Sequence, residues 1–259
     1  MRAALSGVCA ALVLCHTRVM SATEGVRARA RQEITEAIKG EARRQLAEEG
    51  GAKLSLRAVA RELGMASSAV YRYFPSRDDL LTALIIDAYD SLGAAAEGAE
   101  SEVAAASDAT ALSRWIAVCE AVRGWALTHP HEYALIYGTP VPGYRAPRTT
   151  VPAAARVGLL LIGIARDAHR GPAGLSRTPL PEGLRPEAVR MTADLAPDLP
   201  PEAVVALVAA WSELFGLIGF EVFGQFHQVV EDRAAFFRHA AARLAHEVGI
   251  AFPGAAPDA

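Results

Sequence analysis

Strand signals are nearly missing from this chain. β-Branched runs are few and no Asn-Gly turn joins alternating segments, so a sheet has little to be built from. Cysteine is scarce too. Cys9, Cys15 and Cys119 are too few and too scattered for a disulfide framework or a zinc site, which fits a reducing cytoplasm. The usual catalytic signatures are also absent: there is no Gly-rich phosphate loop after a strand, no Gly-x-Ser-x-Gly and no His-Glu-x-x-His. His129, His131 and Glu132 lie close in sequence, but positions two apart point to different sides of a helix and Pro130 intervenes. They read as a helix end and not as a metal site. The expectation is a protein that is not an enzyme and uses no cofactor.

What is abundant is apolar, helix-favouring sequence. Hydrophobic residues make up 52% of the 259 positions, and much of that share is alanine. An all-α protein with a large core follows. The net charge is −3, but it is unevenly spread. Between Glu24 and Leu80 there are 11 Lys/Arg against 9 Asp/Glu; from Leu81 onward there are 13 against 20. The basic bias therefore sits in the first third of the chain, where a nucleic-acid partner is most plausible.

That third holds the most informative stretch, Leu54 to Leu81. Ser55 is placed to cap a helix. Leu56, Val59, Ala60 and Leu63 follow on one apolar face, and Gly64 stands where a positive φ ends a helix cheaply. A second short helix is expected from about Ser67 to Tyr73, with Ala69 and Val70 inward and Ser67, Ser68, Tyr71 and Arg72 outside. Ser67 is a candidate cap, which leaves the start of this helix open by one residue. Two short helices across a tight glycine turn make a helix-turn-helix, whose second helix suits a major groove. Upstream, an apolar stripe of Ile34, Ile38, Ala42 and Leu46 predicts a first helix from Val26 to Glu49, with Arg27, Arg29 and Arg31 as either phosphate contacts or a solvated helix end.

The segment from Ile34 through Leu81 resembles the DNA-binding domain of the TetR family of transcriptional regulators. The resemblance is carried by the Leu-Ser-Leu-Arg start, Ala60, Leu63, Gly64, Val-Tyr-Arg-Tyr-Phe at 70–74, and Ser76-Arg77 leading into Asp79-Leu80-Leu81. Ala66 departs from the Ser or Thr often found there. By resemblance Tyr71 contacts backbone phosphate. Tyr73 and Arg77 are expected on phosphate as well, with Ser55 and Arg57 as further candidates. Ser67, Ser68 and Ala69 lie where base edges are reached, and Arg72 suits either role.

Beyond it, Ser76 and Asp79 form an expected capping box for a helix running from Arg77 toward Leu92, with Gly93–Ala109 as its frayed continuation or a loop. Further helices are expected at Asp108–Thr128, His131–Tyr137, Thr150–Asp167, Pro201–Phe226 and Asp232–Val248. The run Val157–Ile164, apolar nearly all round, predicts a centrally buried helix. Residues 138–147 form a Pro/Gly loop. Residues 170–200 read as a mobile loop with one helical turn near 186–193. Trp211-x-x-x-Phe215-Gly216, His129-Pro130 and the loop 137–144 resemble a Trp-His-Gly group of TetR-type C-terminal domains, with Phe215 where the histidine stands.

The organisation expected is a DNA-binding domain at 23–80, a helical effector and dimerisation domain at 81–252, and a tail at 253–259. By resemblance, the last two long helices of two copies pack into a homodimer. The physical case agrees, because two reading helices about 34 Å apart match one turn of double-stranded DNA and a near-palindromic operator. Trp115, Cys119, Trp125, His129, Tyr133, Tyr137 and Phe220 are the candidates for lining a small-molecule effector pocket, each also readable as ordinary core.

Residues 1–22 remain. Arg2 followed by an apolar run from Ala3 to Leu14, with Met-Ser-Ala at 20–22, resembles a secretory signal, although the run is too short to cross a bilayer. The reading preferred is a translation start near Met20, or a disordered extension, on a cytoplasmic repressor with no membrane partner. The alternative is an exported helical binding protein that uses residues 1–20 as its signal.

Overall fold

The structure, a computed structural model, describes residues 27–172, 174–176 and 178–250. The expectations for residues 1–22 and 253–259 lie outside that range. Ten α-helices account for the fold, and no strand occurs among the described residues. The chain divides into two compact units at Leu81/Thr82.

In the first unit, α1 (27–49) buries Ile38, Ala42 and Leu46 and ends at Gly50, whose φ is 78°. A 3-10 turn, Gly51–Lys53, leads to α2 (Leu56–Glu62), where the Ser55 hydroxyl accepts the Ala58 amide at 3.4 Å. Gln45, buried on α1, accepts the Ser55 amide and so ties the start of α2 to α1. Gly64 sits at φ 63°, and the Met65 amide returns to the Ala60 carbonyl at 2.8 Å, which turns the chain sharply into α3 (Ser67–Val70). Ser67 is not the cap. Ala66 is the N-cap and offers no side-chain bond, and Ser67 is already inside the helix. The helix is also shorter than expected. Residues 71–73 continue as a tightened turn, and the Phe74 amide closes on Val70 at 3.1 Å. Val70 is fully buried, whereas Ala69 is only half-buried.

α4 (Arg77–Ala104) begins as the sequence suggests: the Ser76 hydroxyl accepts the Asp79 amide at 3.1 Å and donates to its carboxylate at 2.7 Å. It then runs straight through Gly93 instead of fraying. Leu92 and Ala96 are sealed in the core of the second unit. Arg156 lies across Gly93, donating to Asp90 at 2.9 Å and to Glu97 at 2.6 Å. A side chain at 93 would collide with that arginine.

The second unit is built around α5 (Ala111–Thr128), which the Thr110–Ser113 capping box starts. Trp115, Val118, Cys119 and Val122 are completely buried on it. α6 (Pro130–Tyr137), α7 (Val151–Arg170), α9 (Pro201–Val222) and α10 (Arg233–Val248) pack around it, and Trp115 Nε1 donates to the Ala241 carbonyl at 3.1 Å. Arg123 donates to Glu221 at 2.6 Å, linking α5 to α9. Two expectations need correction. Leu159 on α7 is 56% exposed, so that helix is not buried all round. Residues 185–195 form a full helix, α8 (Arg185–Leu195), and not a single turn in a loop.

α7 and α9 are long and apolar enough to cross a membrane by length and composition alone. Both serve as core helices of this unit, through Ile164 on α7 and Leu214 and Ile218 on α9.

Candidate functional site

The outward side of the helix-turn-helix forms a compact polar surface. Val70 and Phe74 anchor it from within, and Ser67, Ser68 and Arg72 stand exposed. Tyr71 keeps 41% of its surface in solvent, a large share for an aromatic that the core has no use for. Tyr73 is half-buried, and Arg31 places its guanidinium 5.0 Å from the ring centre. Arg31 also donates to the Arg72 carbonyl at 3.5 Å. The structure thus brings an α1 arginine, 41 residues away in sequence, to the end of the reading segment. Arg57 is exposed on the first turn of α2. Ser55 is half-buried and its hydroxyl already accepts the helix cap bond.

Arg77 spends much of its guanidinium on the protein itself. Its guanidinium donates to the carbonyls of Gly51 at 2.7 Å, Leu54 at 3.2 Å and Ala52 at 3.3 Å. With those donors spent on backbone, it staples the start of α4 to the turn before α2.

The seven effector-pocket candidates fall mostly in the packing of the second unit. Trp115, Cys119 and Tyr133 are sealed in the core, and burial pushes the thiol of Cys119 and the hydroxyl of Tyr133 up from their ordinary pKa ranges. Tyr133 donates to the Phe215 carbonyl at 2.7 Å. Trp125 donates to Ser91 at 2.9 Å and stacks on His129. Tyr137 stacks on Phe215 with ring centres 4.0 Å apart. Phe215, where the resembling group has histidine, is therefore a packing residue. Phe220 is 54% exposed.

A cavity in this unit has a different lining. A cleft of about 500 Å³ opens between Ile85 and Tyr89 of α4, Leu135 and Ile136 of α6, Val141 and Tyr144 of the connecting loop, and Thr150 with the first turns of α7. None of the seven expected residues lines it. The Pro/Gly loop at 138–147 was the available sign, since a segment of fixed, non-helical backbone held between helices leaves space beside it.

Comparison with known proteins agrees with both halves. Residues 40–84 match the family described as bacterial regulatory proteins, tetR family. Residues 115–244 match the tetracyclin repressor-like C-terminal domain. The HTH-type transcriptional regulators Rv1816 of Mycobacterium tuberculosis and Mb1846 of Mycobacterium bovis are each 41% identical over 208 residues, spanning 78% of this chain and 86% of theirs. The crystal structure of SCO4313, described only as a regulatory protein, superposes with a TM-score of 0.68 at 33% identity, covering 84% of this chain and 97% of that one. The chain belongs to the TetR family and is a DNA-binding transcriptional regulator.

Proposed function

We propose that this regulator is a cytoplasmic repressor. It acts as a homodimer on a near-palindromic operator and releases it when a small molecule occupies the cleft beside α4. The observation that carries the DNA half is the sealed Val70 behind an exposed Ser67, Ser68, Tyr71 and Arg72, since polar side chains are projected from a rigid support with no packing role of their own. Ser67, Ser68 and Ala69 are small enough to let the helix approach base edges. Tyr71, Arg72, Tyr73, Arg57 and Arg31 surround them as phosphate donors.

Selection of bound sequences from random duplex DNA tests this reading. The expected product is two inverted half-sites about one helical turn apart. On that duplex, Tyr71→Phe loses one hydrogen bond to a charged phosphate, roughly a tenfold or greater loss of affinity. Because tyrosine is neutral, the salt dependence stays as it was. Arg72→Ala lowers affinity and also reduces the salt slope by about 1 for each half-site, about 2 for the dimer on the full duplex. Parental affinity in Tyr71→Phe would remove Tyr71 from the contact set.

The homodimer reading draws on apolar surface in the second unit. Phe220 and Phe223 at the end of α9 and Phe236 on α10 are 54%, 47% and 40% exposed, and Phe226 bridges them, tilted against Phe220 and edge to face with Phe236. Aromatic area of this extent on two adjoining helices calls for a partner.

A further inference from the structure

Taking the cleft between α4, α6 and α7 to be the effector site, as proposed above, its walls define what it accepts. No lining residue carries a charge at neutral pH. Arg145 and Arg148 belong to the same stretch of chain, yet both are exposed and neither lines the cleft. An ion entering from water would lose hydration and meet no opposite charge in return. The body of the cleft is aliphatic, from Ile85, Leu135, Ile136 and Val141.

Three hydroxyls face this apolar body, and they are not equivalent. Thr150 donates to the Pro147 carbonyl at 2.9 Å. Tyr89 donates to the Ile136 carbonyl over a long 3.4 Å, and its burial keeps the phenol protonated. Tyr144 shares a 2.9 Å hydrogen bond with Thr82, which itself lies outside the lining. Thr82 is on α4, three residues before Ile85, and α4 is one unbroken helix from Arg77 onward. The bond therefore ties the 138–147 loop to the first turns of α4, and any ligand group that engages Tyr144 competes for it.

We propose that the cleft binds an uncharged, largely apolar molecule carrying one hydrogen-bonding group, and that this group takes the Tyr144 hydroxyl from Thr82. Ligand binding and the Thr82–Tyr144 bond then oppose each other. By linkage, the ligand favours conformations in which the start of α4 is untied from the loop.

The test uses full-length protein and the neutral dye Nile red, displaced by decan-1-ol, decanoate or decylammonium at neutral pH. The three compounds share a chain and differ in head-group charge. The dye should bind saturably, and Leu135→Trp, which fills the cleft, should abolish that binding. Val141→Trp makes the same test from the loop if the α6 variant does not fold. Decan-1-ol should displace dye at least tenfold more effectively than either ion. Thr82→Val frees Tyr144 without touching the lining and should tighten decan-1-ol binding several-fold. Tyr144→Phe should weaken it.

The proposal fails if the dye does not bind, if an ion matches the alcohol, or if Thr82→Val leaves the alcohol's affinity unchanged. It fails too if the dye persists in the filled cleft, because the dye then sits elsewhere, for instance in the apolar groove of about 290 Å³ formed by Leu159, Leu207 and Trp211. Anisotropy of the selected duplex separates the two levels. If the displacement series sorts as described while saturating decan-1-ol leaves DNA affinity untouched, the cleft chemistry stands and the effector reading falls.

Discussion

Five positions separate Arg72 from Arg77, and their guanidinium groups meet different surroundings. Arg72 is exposed beside the reading helix, whereas Arg77 is bound to three backbone carbonyls left open by the turn before α2. Arg77→Met should therefore cost stability, about 1–3 kcal/mol for hydrogen bonds made by a charged, partly buried group, read as a lower urea midpoint. Arg72→Ala should leave that midpoint within about 0.5 kcal/mol and act only on DNA. Equal midpoints for the two variants would return Arg77 to the surface. Cys119 allows a second check at this scale. It is completely buried with its thiol pKa pushed up by desolvation, so the thiolate that reacts is suppressed. With Cys9 and Cys15 changed to serine, a thiol-specific chromogenic reagent should find no reactive group in native protein and one in denaturant. Neither role was legible in sequence. An arginine reads the same whether it faces a phosphate or a carbonyl, and a cysteine reads the same in a pocket or a core.

At the scale of elements, the sequence was readable wherever a helix has one buried stripe and a local stop signal. α1, α2 and α10 came out nearly as expected, because Gly50, Ser55, Gly64 and Asp232 make their bonds within a turn or two. What failed depended on distant partners. α4 passes Gly93 because Arg156, 63 residues on, packs over it. α8 was read only as a helical turn near 186–193 because it buries only Ala188 and Thr192 and relies instead on pairs of Arg190 with Glu187 and Asp194 along its own surface. The cleft beside α4 was not legible because its lining is mostly aliphatic, whereas the aromatics that drew notice, Trp115, Trp125, Tyr133 and Tyr137, serve in packing. Two glycines that look alike in sequence separate these kinds of constraint. Gly64 and Gly249 both have positive φ, 63° and 97°. A β-carbon on Gly64 meets nothing, so Gly64→Ala should cost only the left-handed strain, about 1–2 kcal/mol. On Gly249 it would collide with the Ser176 carbonyl oxygen, whose own residue donates its amide to the Gly249 carbonyl at 3.0 Å. Gly249→Ala must break that backbone contact as well, and roughly 2–5 kcal/mol is expected. Thermal melts of the two variants should rank Gly249→Ala clearly below Gly64→Ala, and equal melting temperatures would show that the contact contributes nothing.

For the whole molecule, the limiting quantity is how little DNA one reading helix grips. In the proposed complex α3 and its extension would offer Ser67, Ser68 and Ala69 to base edges, far less than the surface of a specific complex. Pairing two copies turns the second half-site into an intramolecular event, worth on the order of 100- to 10,000-fold without any new contact. The proposed dimer face is therefore testable through DNA as well as through mass. Phe220→Glu combined with Phe236→Glu sets two charges into the exposed aromatic patch of α9 and α10 while leaving the buried Leu214, Ile218 and Leu244 in place. The expected result is a folded monomer in sedimentation at micromolar concentration, with circular dichroism unchanged. That monomer should bind a one-half-site duplex and a two-half-site duplex about equally. The parent should prefer the two-half-site duplex by the factor above, and inserting five base pairs between the half-sites, which turns them to opposite sides of the helix, should remove the preference. A variant that remains dimeric would move the interface to the other apolar surface, around Leu159 and Leu195. A monomer that keeps the two-site preference would mean that protein–protein pairing is not what confers it.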